Sequence, residues 1–242
     1  MQSAAHPLDR PVWSALSSRQ APLSLGGELA RRLAPEYGLF AAAIDASQES
    51  LAALAALDCD DAGLCLVEAE PWPTPPGMVA SAPAPCVQMT AKAITADDRQ
   101  FAVTALTEND APDMLALATL TRPGPFFART HQLGEFVGIK QGGRLAAMAG
   151  ERMRPDGFTE VSGVCTHPDH RGRGYAGDLM RIVASRILAR GETPFLHAYE
   201  TNNAAIELYR SLGFVLRRTV TLTTLTRRSM TPSCPTPTEG RP

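Results

Sequence analysis

Arg171 and Arg173 alternate with Gly172 and Gly174 in the stretch Val161-Ser-Gly-Val-Cys-Thr-His-Pro-Asp-His-Arg-Gly-Arg-Gly-Tyr-Ala176. Guanidinium groups are planar donors suited to phosphate. Glycine lets the backbone come close to a ligand. Residues 177–190 read as a helix, so the loop ends on a helix N-terminus, whose free amides and positive dipole end favour an anion. The spacing is Arg171-x-x-Gly174-x-Ala176. It is not the G-x-x-x-x-G-K-[ST] phosphate loop, and the three glycines and trailing acid of a dinucleotide fold are missing.

Two further groups could move protons. Glu160 stands near the start of the strand that feeds this loop. Alternation predicts Glu160, Ser162 and Val164 on one strand face and Val161, Gly163 and Cys165 on the other. Tyr209 lies in Glu200-Thr-Asn-Asn-Ala-Ala-Ile-Glu-Leu-Tyr-Arg-Ser-Leu-Gly-Phe214. There Asn202 or Asn203 can cap a helix, and Ala205, Ile206, Leu208, Tyr209 and Leu212 include the spacing of a buried face. Gly213 ends the helix. Pro194–Tyr199 before it is of strand type, and 214–216 and 220–225 read as final strands.

The loop and this second segment, in this order and separation, resemble the GNAT superfamily of acyl-CoA-dependent N-acyltransferases. The family pattern N-x-x-A-x-x-L-Y-x-x-x-G-F is matched by Asn202, Ala205, Leu208, Tyr209, Gly213 and Phe214 with every spacing kept. The resemblance spans about residues 101–226. Residues 122–130 and 145–152 are similar to a bacterial subgroup, and the loop is also similar to glycine N-acyltransferase-like members. The resemblance implies an α/β (α+β) fold, a central mixed, mostly antiparallel sheet flanked by helices. It implies acetyl-CoA, or another acyl-CoA, as co-substrate and a small-molecule amine as acceptor.

It also implies roles. Arg171, Gly172, Arg173, Gly174, Tyr175 and Ala176 hold the pyrophosphate. Val164, Cys165 and Thr166 meet the pantetheine through their backbone, and Asn202 contacts the same arm. Glu160 is the general base or holds a water. Tyr209 protonates the leaving thiolate; phenol and thiol pKa values lie within about two units. Phe126, Phe127 and Arg129 shape the acceptor pocket, with Arg129 pairing a carboxylate. Plainer readings stand beside these: an edge carboxylate for Glu160, a core tyrosine for Tyr209, a helix cap for Asn202, a packed thiol for Cys165 and anchoring phenylalanines. His197 reads as structural rather than facing the reaction centre. His167 and His170 read as loop residues, since no acidic or thiol ligand set surrounds them, and no metal is expected.

The elements that must position these groups follow. A helix is expected around Leu25, Leu29 and Leu33, a strand at 38–44, a Ser47-capped helix at 48–57 and a buried strand at 64–67. Residues 71–85 carry six prolines, so a linker without regular structure is expected. Val87–Thr90 reads as a strand. After 101–106, Asp110 is expected to cap a helix from Ala111 to about Thr119, and Phe126–Gln132 to form a second short one. Three meander strands follow, with a Gly142-Gly143 turn. Residues 1–96 are thus expected to form a smaller α/β region, either a degenerate partial GNAT copy or a family-specific cap. Residues 97–226 form the GNAT domain, and 227–242 a disordered tail.

The chain has 242 residues, 44% hydrophobic and 20% charged, with a net charge of −2. That is ordinary globular composition and gives no reason to expect nucleic acid or a membrane surface. No apolar run reaches spanning length, and the first ten residues lack the features of a secretory signal. Five scattered cysteines suit a reduced, cytoplasmic setting. A monomer or homodimer is expected. The rival functions are a non-catalytic acyl-CoA sensor and a protein N-acetyltransferase.

Overall fold

Residues 145–150, Leu-Ala-Ala-Met-Ala-Gly, are an unbroken run without a polar side chain, the signature of a strand covered on both faces. The computed structural model describes residues 6–97 and 101–228. It begins with α1 (Pro11–Leu16), β1 (Ser24–Gly26), β2 (Ala30–Leu33), β3 (Ala41–Ala43) and α2 (Gln48–Ala56). β4 (Leu64–Glu68), β5 (Met78–Ala80), β6 (Ala84–Thr90) and β7 (Val103–Leu106) lead to α3 (Ala111–Thr121). The meander is β8 (Phe136–Gln141), β9 (Arg144–Glu151) and β10 (Phe158–Thr166). α4 (Tyr175–Ala189), β11 (Thr193–Tyr199), α5 (Asn203–Ser211) and β12 (Val215–Arg227) complete the chain.

One sheet runs in the order β4-β12-β6-β11-β10-β9-β8-β7, with β5 also on β12, nine strands in all. Among the described residues its pairings are antiparallel except β10 with β11. It takes strands from both sides of residue 97. β1, β2 and β3 make a separate small sheet, bridged to β4 at Phe40 and Cys65. Ala147 and Ala149 pack with Leu179 and Val183 of α4, while Met148 between them packs with Met114 and Leu117 of α3. The small alanines let α4 approach the sheet closely; burial of these side chains supplies the main driving force. The Phe40, Val12 and Leu16 cluster reaches Phe195 and Val220 on the same nine-stranded sheet.

Several expectations hold in detail. Ser47 caps α2 by accepting from the Ser50 amide, and β4 is buried along its length. Others are corrected. The Leu25–Leu33 segment is no helix: Ser24–Gly26 pairs with Arg31–Leu33 as a hairpin. Gly26, at φ +113°, and Gly27 break the helical run that three leucines suggest. The proline-rich stretch 71–85 holds β5 and the start of β6. Pro85 sits in β6 without loss, because its carbonyl side faces β11, where the ladder has already ended at Cys86. Residues 126–132 give only a 3-10 turn at Thr130–Leu133; the Thr130 hydroxyl ties the Phe127 amide at 2.7 Å instead. The two expected C-terminal strands are one strand, β12, with an irregular register between Leu216 and Arg218. The tail beyond residue 228, with Cys234, lies outside the described residues. Among those described, no helix is long and apolar enough to cross a membrane.

Candidate active site

β10 and β11 pair only at Phe158–Thr193, Thr159–Pro194 and Glu160–Phe195. Beyond that rung β10 stays on β9 and β11 stays on β6. The strands part, and their facing edges present backbone groups without a strand partner to a cleft. Such groups must find hydrogen bonds elsewhere, which suits an extended, amide-bearing ligand.

A bulge shapes one lip. The β9–β10 register shifts between Ser162 and Cys165, with Gly163 at φ +62°. A Cβ there would stand 2.9 Å from the Phe136 ring. The extra residue breaks the expected alternation. Val161 and Val164 both pack toward α4, while Cys165 packs with Met114 and Leu117 of α3. Burial pushes the Cys165 thiol up to about 11, against an opposing hydrogen bond with Thr121, so it stays a protonated packing group.

Three adjoining cavities follow the cleft. The first, about 660 Å³, is lined by Thr166, His170, the loop Arg171–Gly177 and Leu208. Gly172 and Gly174 have φ of +75° and +88°, and Gly174 is the N-cap of α4. Neither Arg171 nor Arg173 makes an ion pair among the described residues, whereas Arg181 nearby is held by Asp97 at 3.1 Å and Asp178 at 2.9 Å. Two uncommitted cations beside free helix amides fit a pyrophosphate. The second cavity, about 460 Å³, takes in Val164, Cys165, Thr166, Arg171, Asn202 and Tyr209. The third, about 140 Å³, shares Asn202 and Tyr209 and adds Phe40, Val67, Cys86, Arg152, His197 and Leu222.

All the expected cofactor-side residues therefore meet in one cleft. Asn202 caps α5 by accepting from the Ala205 amide at 3.3 Å and also lines the second and third cavities. Tyr209 lines the second and third cavities, and burial raises its hydroxyl above the ordinary phenol value.

Glu160 is placed differently from expectation. It is fully buried and takes two bonds from Arg152, Nε to Oε2 at 2.8 Å and Nη2 to Oε1 at 2.9 Å. Burial pushes its carboxyl up, but the Arg152 charge and bonds from His197 and Arg152 overcome this and hold it at about 2. A carboxylate so held does not take a proton near neutral pH. His197 lines the third cavity, with Nδ1 2.8 Å from Glu160 and Nε2 3.0 Å from the Gln88 amide nitrogen. Arg217 donates to the Gln88 oxygen at 2.8 Å. Gln88 therefore donates to His197 Nε2, and Nδ1–H donates to Glu160.

Phe126, Phe127 and Arg129 line none of these cavities. Phe126 packs edge-on against Phe136 at 5.8 Å. Arg129 lies over the Tyr37 ring at 4.9 Å and 3.7 Å from Glu36. Their neighbours Pro123, Gly124 and Pro125 line the third cavity instead. Sequence reasoning passed over Phe40, Val67, Cys86 and Arg152. No short-range pattern marks them; long-range strand pairing brings them together.

A model of the FR47-like protein family matches residues 136–222. N-alpha-acetyltransferase RimI of Mycobacterium tuberculosis is 33% identical over 132 residues, 50% of this chain and 82% of that protein. A solved putative acetyltransferase from the GNAT family, from Novosphingobium aromaticivorans, is 46% identical with a TM-score of 0.85, covering 93% of this chain and 100% of that one. A GCN5-related N-acetyltransferase from Kribbella flavida, 19% identical over 87% of this chain and 94% of that one with a TM-score of 0.59, shares the fold. The chain belongs to the GNAT superfamily and is an N-acetyltransferase, an enzyme class that uses acetyl-CoA as co-substrate.

Proposed function

We propose that the chain transfers an acyl group, acetyl in the first instance, from acyl-CoA to the amine of a small molecule by direct attack in a ternary complex. One observation carries this: the cofactor-type cleft opens at Tyr209 and Asn202 into a cavity of only about 140 Å³, walled in part by Phe40, Val67 and Cys86 from the first ninety residues. So small a space favours a compact acceptor. Acyl-CoA supplies the thioester. Arg171, Arg173 and the Gly172–Ala176 backbone hold its phosphates, and Val164–Thr166 and Asn202 its pantetheine arm. Tyr209 gives its proton to the thiolate as the C–S bond breaks and regains one, through solvent, from the amine nitrogen that has formed the amide bond; its raised pKa keeps the phenol protonated at working pH. Glu160, buried and bonded, fixes Arg152 and His197 rather than taking the amine proton directly. The four free cysteines among the described residues accord with a reducing, cytoplasmic setting.

Peptide N-termini are the second reading, favoured by the similarity to a protein named as an N-alpha-acetyltransferase. The test is thiol release from acetyl-CoA by the full chain with a panel of small amines and N-terminal peptides. Turnover should concentrate among the small amines. Peptides outcompeting them, or no thiol release with any amine, overturns the proposal.

A further inference from the structure

Arg152 is the one charged side chain whose guanidinium lines the third cavity among the described residues. Its placement follows from pairing. It continues β9 past Glu151, and its Nε and Nη2 close on Glu160 of β10. The guanidinium also lies over the Phe40 ring, 4.7 Å from the centroid. These contacts use one edge and one face. Nη1 is left over. It makes no hydrogen bond among the described residues, and a Cβ built on Gly124, in the cavity wall, would lie 3.8 Å from it. The side chain is only 13% exposed.

We infer that Arg152 Nη1 anchors an anionic group of the acceptor, a carboxylate carried close to the reacting amine. The inference rests on the acyl-transfer reading above and names the substrate class for it. Nη1 is not sealed from solvent, so the physical argument is that an acceptor anion gains by replacing water there. A largely buried guanidinium with a free N–H pair gains from an anionic acceptor group, because a charge-assisted bond out of bulk water is stronger than one in it. Glu160 holds the fork rigid and cannot itself serve Nη1, since both its oxygens are engaged. No other lysine or arginine lines this cavity among the described residues, and both ring nitrogens of His197 are already bonded to Glu160 and Gln88. Tyr209 and the anchor bound the same cavity, so an amine one or two bonds from the carboxylate lies beside the transfer site.

Two measurements test this. The first compares kcat/KM for an amino acid and its carboxamide, in the wild type and in R152Q/E160Q, which removes both charges while keeping an amide pair. The wild type should prefer the carboxylate by about tenfold or more, and the double variant by less than about twofold. Equal rates in the wild type, or an undiminished preference in the double variant, overturn the inference. The second titrates a short carboxylic acid without an amine, propionate, into the CoA-loaded protein by calorimetry. Binding to the wild type and its loss in the double variant support the anchor; no binding to the wild type overturns it. This arm reads the anchor even if no amine releases thiol, so failure of the acyl-transfer reading is told apart from failure of the anchor. R152K, which keeps the charge but lacks the fork, should retain an intermediate preference, and CoA affinity of the double variant equal to the wild type's in the same calorimetry shows that it has kept its fold.

Discussion

His197 Nδ1, two residues past the last rung that β10 and β11 share, bonds at 2.8 Å to the carboxylate of Glu160 in that rung. The bond ties the two strands together where the cleft begins. Because Arg152 also bonds the same carboxylate, one buried anion organises the vertex of the cleft and a wall of the third cavity.

Glu160→Gln should cost roughly 3–5 kcal/mol of stability, since it leaves a buried guanidinium without its counter-ion. The sign with pH follows. The carboxyl is held at about 2 in the fold against 4.5 ordinarily. Its stabilising effect is complete above pH 4.5 and is lost as pH falls toward 2. Denaturant melts from pH 7 to 2 should show a steeper acid loss in the wild type than in the variant.

Tyr209→Phe should lower turnover roughly 10–1000-fold and leave acetyl-CoA affinity nearly unchanged. Because the hydroxyl is raised by burial, the wild-type rate should hold through the ordinary phenol range and fall only at still higher pH. Steady-state rates beside calorimetric affinities check this; a full-rate phenylalanine variant makes Tyr209 a packing residue.

Arg171→Ala with Gly174→Asp should weaken acetyl-CoA binding by about 2–4 kcal/mol, through a lost charge-assisted bond and an added like charge. Calorimetry reads it directly, and unchanged affinity removes the loop from the cofactor site.

Gly163→Val should destabilise by about 1–3 kcal/mol, because a branched side chain is forced to positive φ and against Phe136. The bulge should shift, so acetyl-CoA affinity should fall as well. Thermal unfolding with and without acetyl-CoA separates the two effects.

The loop and helix that line the first two cavities were legible because their signals are local. Arg171 to Ala176, and Asn202 to Phe214, are short runs whose spacing fixes loop and helix geometry. Ser47 announced α2 for the same reason. The walls of the third cavity were not legible. Arg152 matters through a partner eight residues away across a hairpin, and Phe40 through a strand bridge to Cys65. The bulge at Gly163 hid the strand's true faces, since one extra residue inverts a period of two. Leu25, Leu29 and Leu33 imitated a helix, and only Gly26 and Gly27 between them argued otherwise.

β6 lends Cys86 to the third cavity while bonding to β11 on one flank and β12 on the other. Its backbone is therefore committed twice over, and an insertion or deletion there would dislocate two ladders at once. Descendants of this chain have a freer route to a new acceptor: exchange of single side chains at Phe40, Val67 and Cys86 on an unchanged frame. Selectivity should accordingly be open to change by point substitution at these early positions, with the 171–176 loop, more than seventy residues downstream, left untouched.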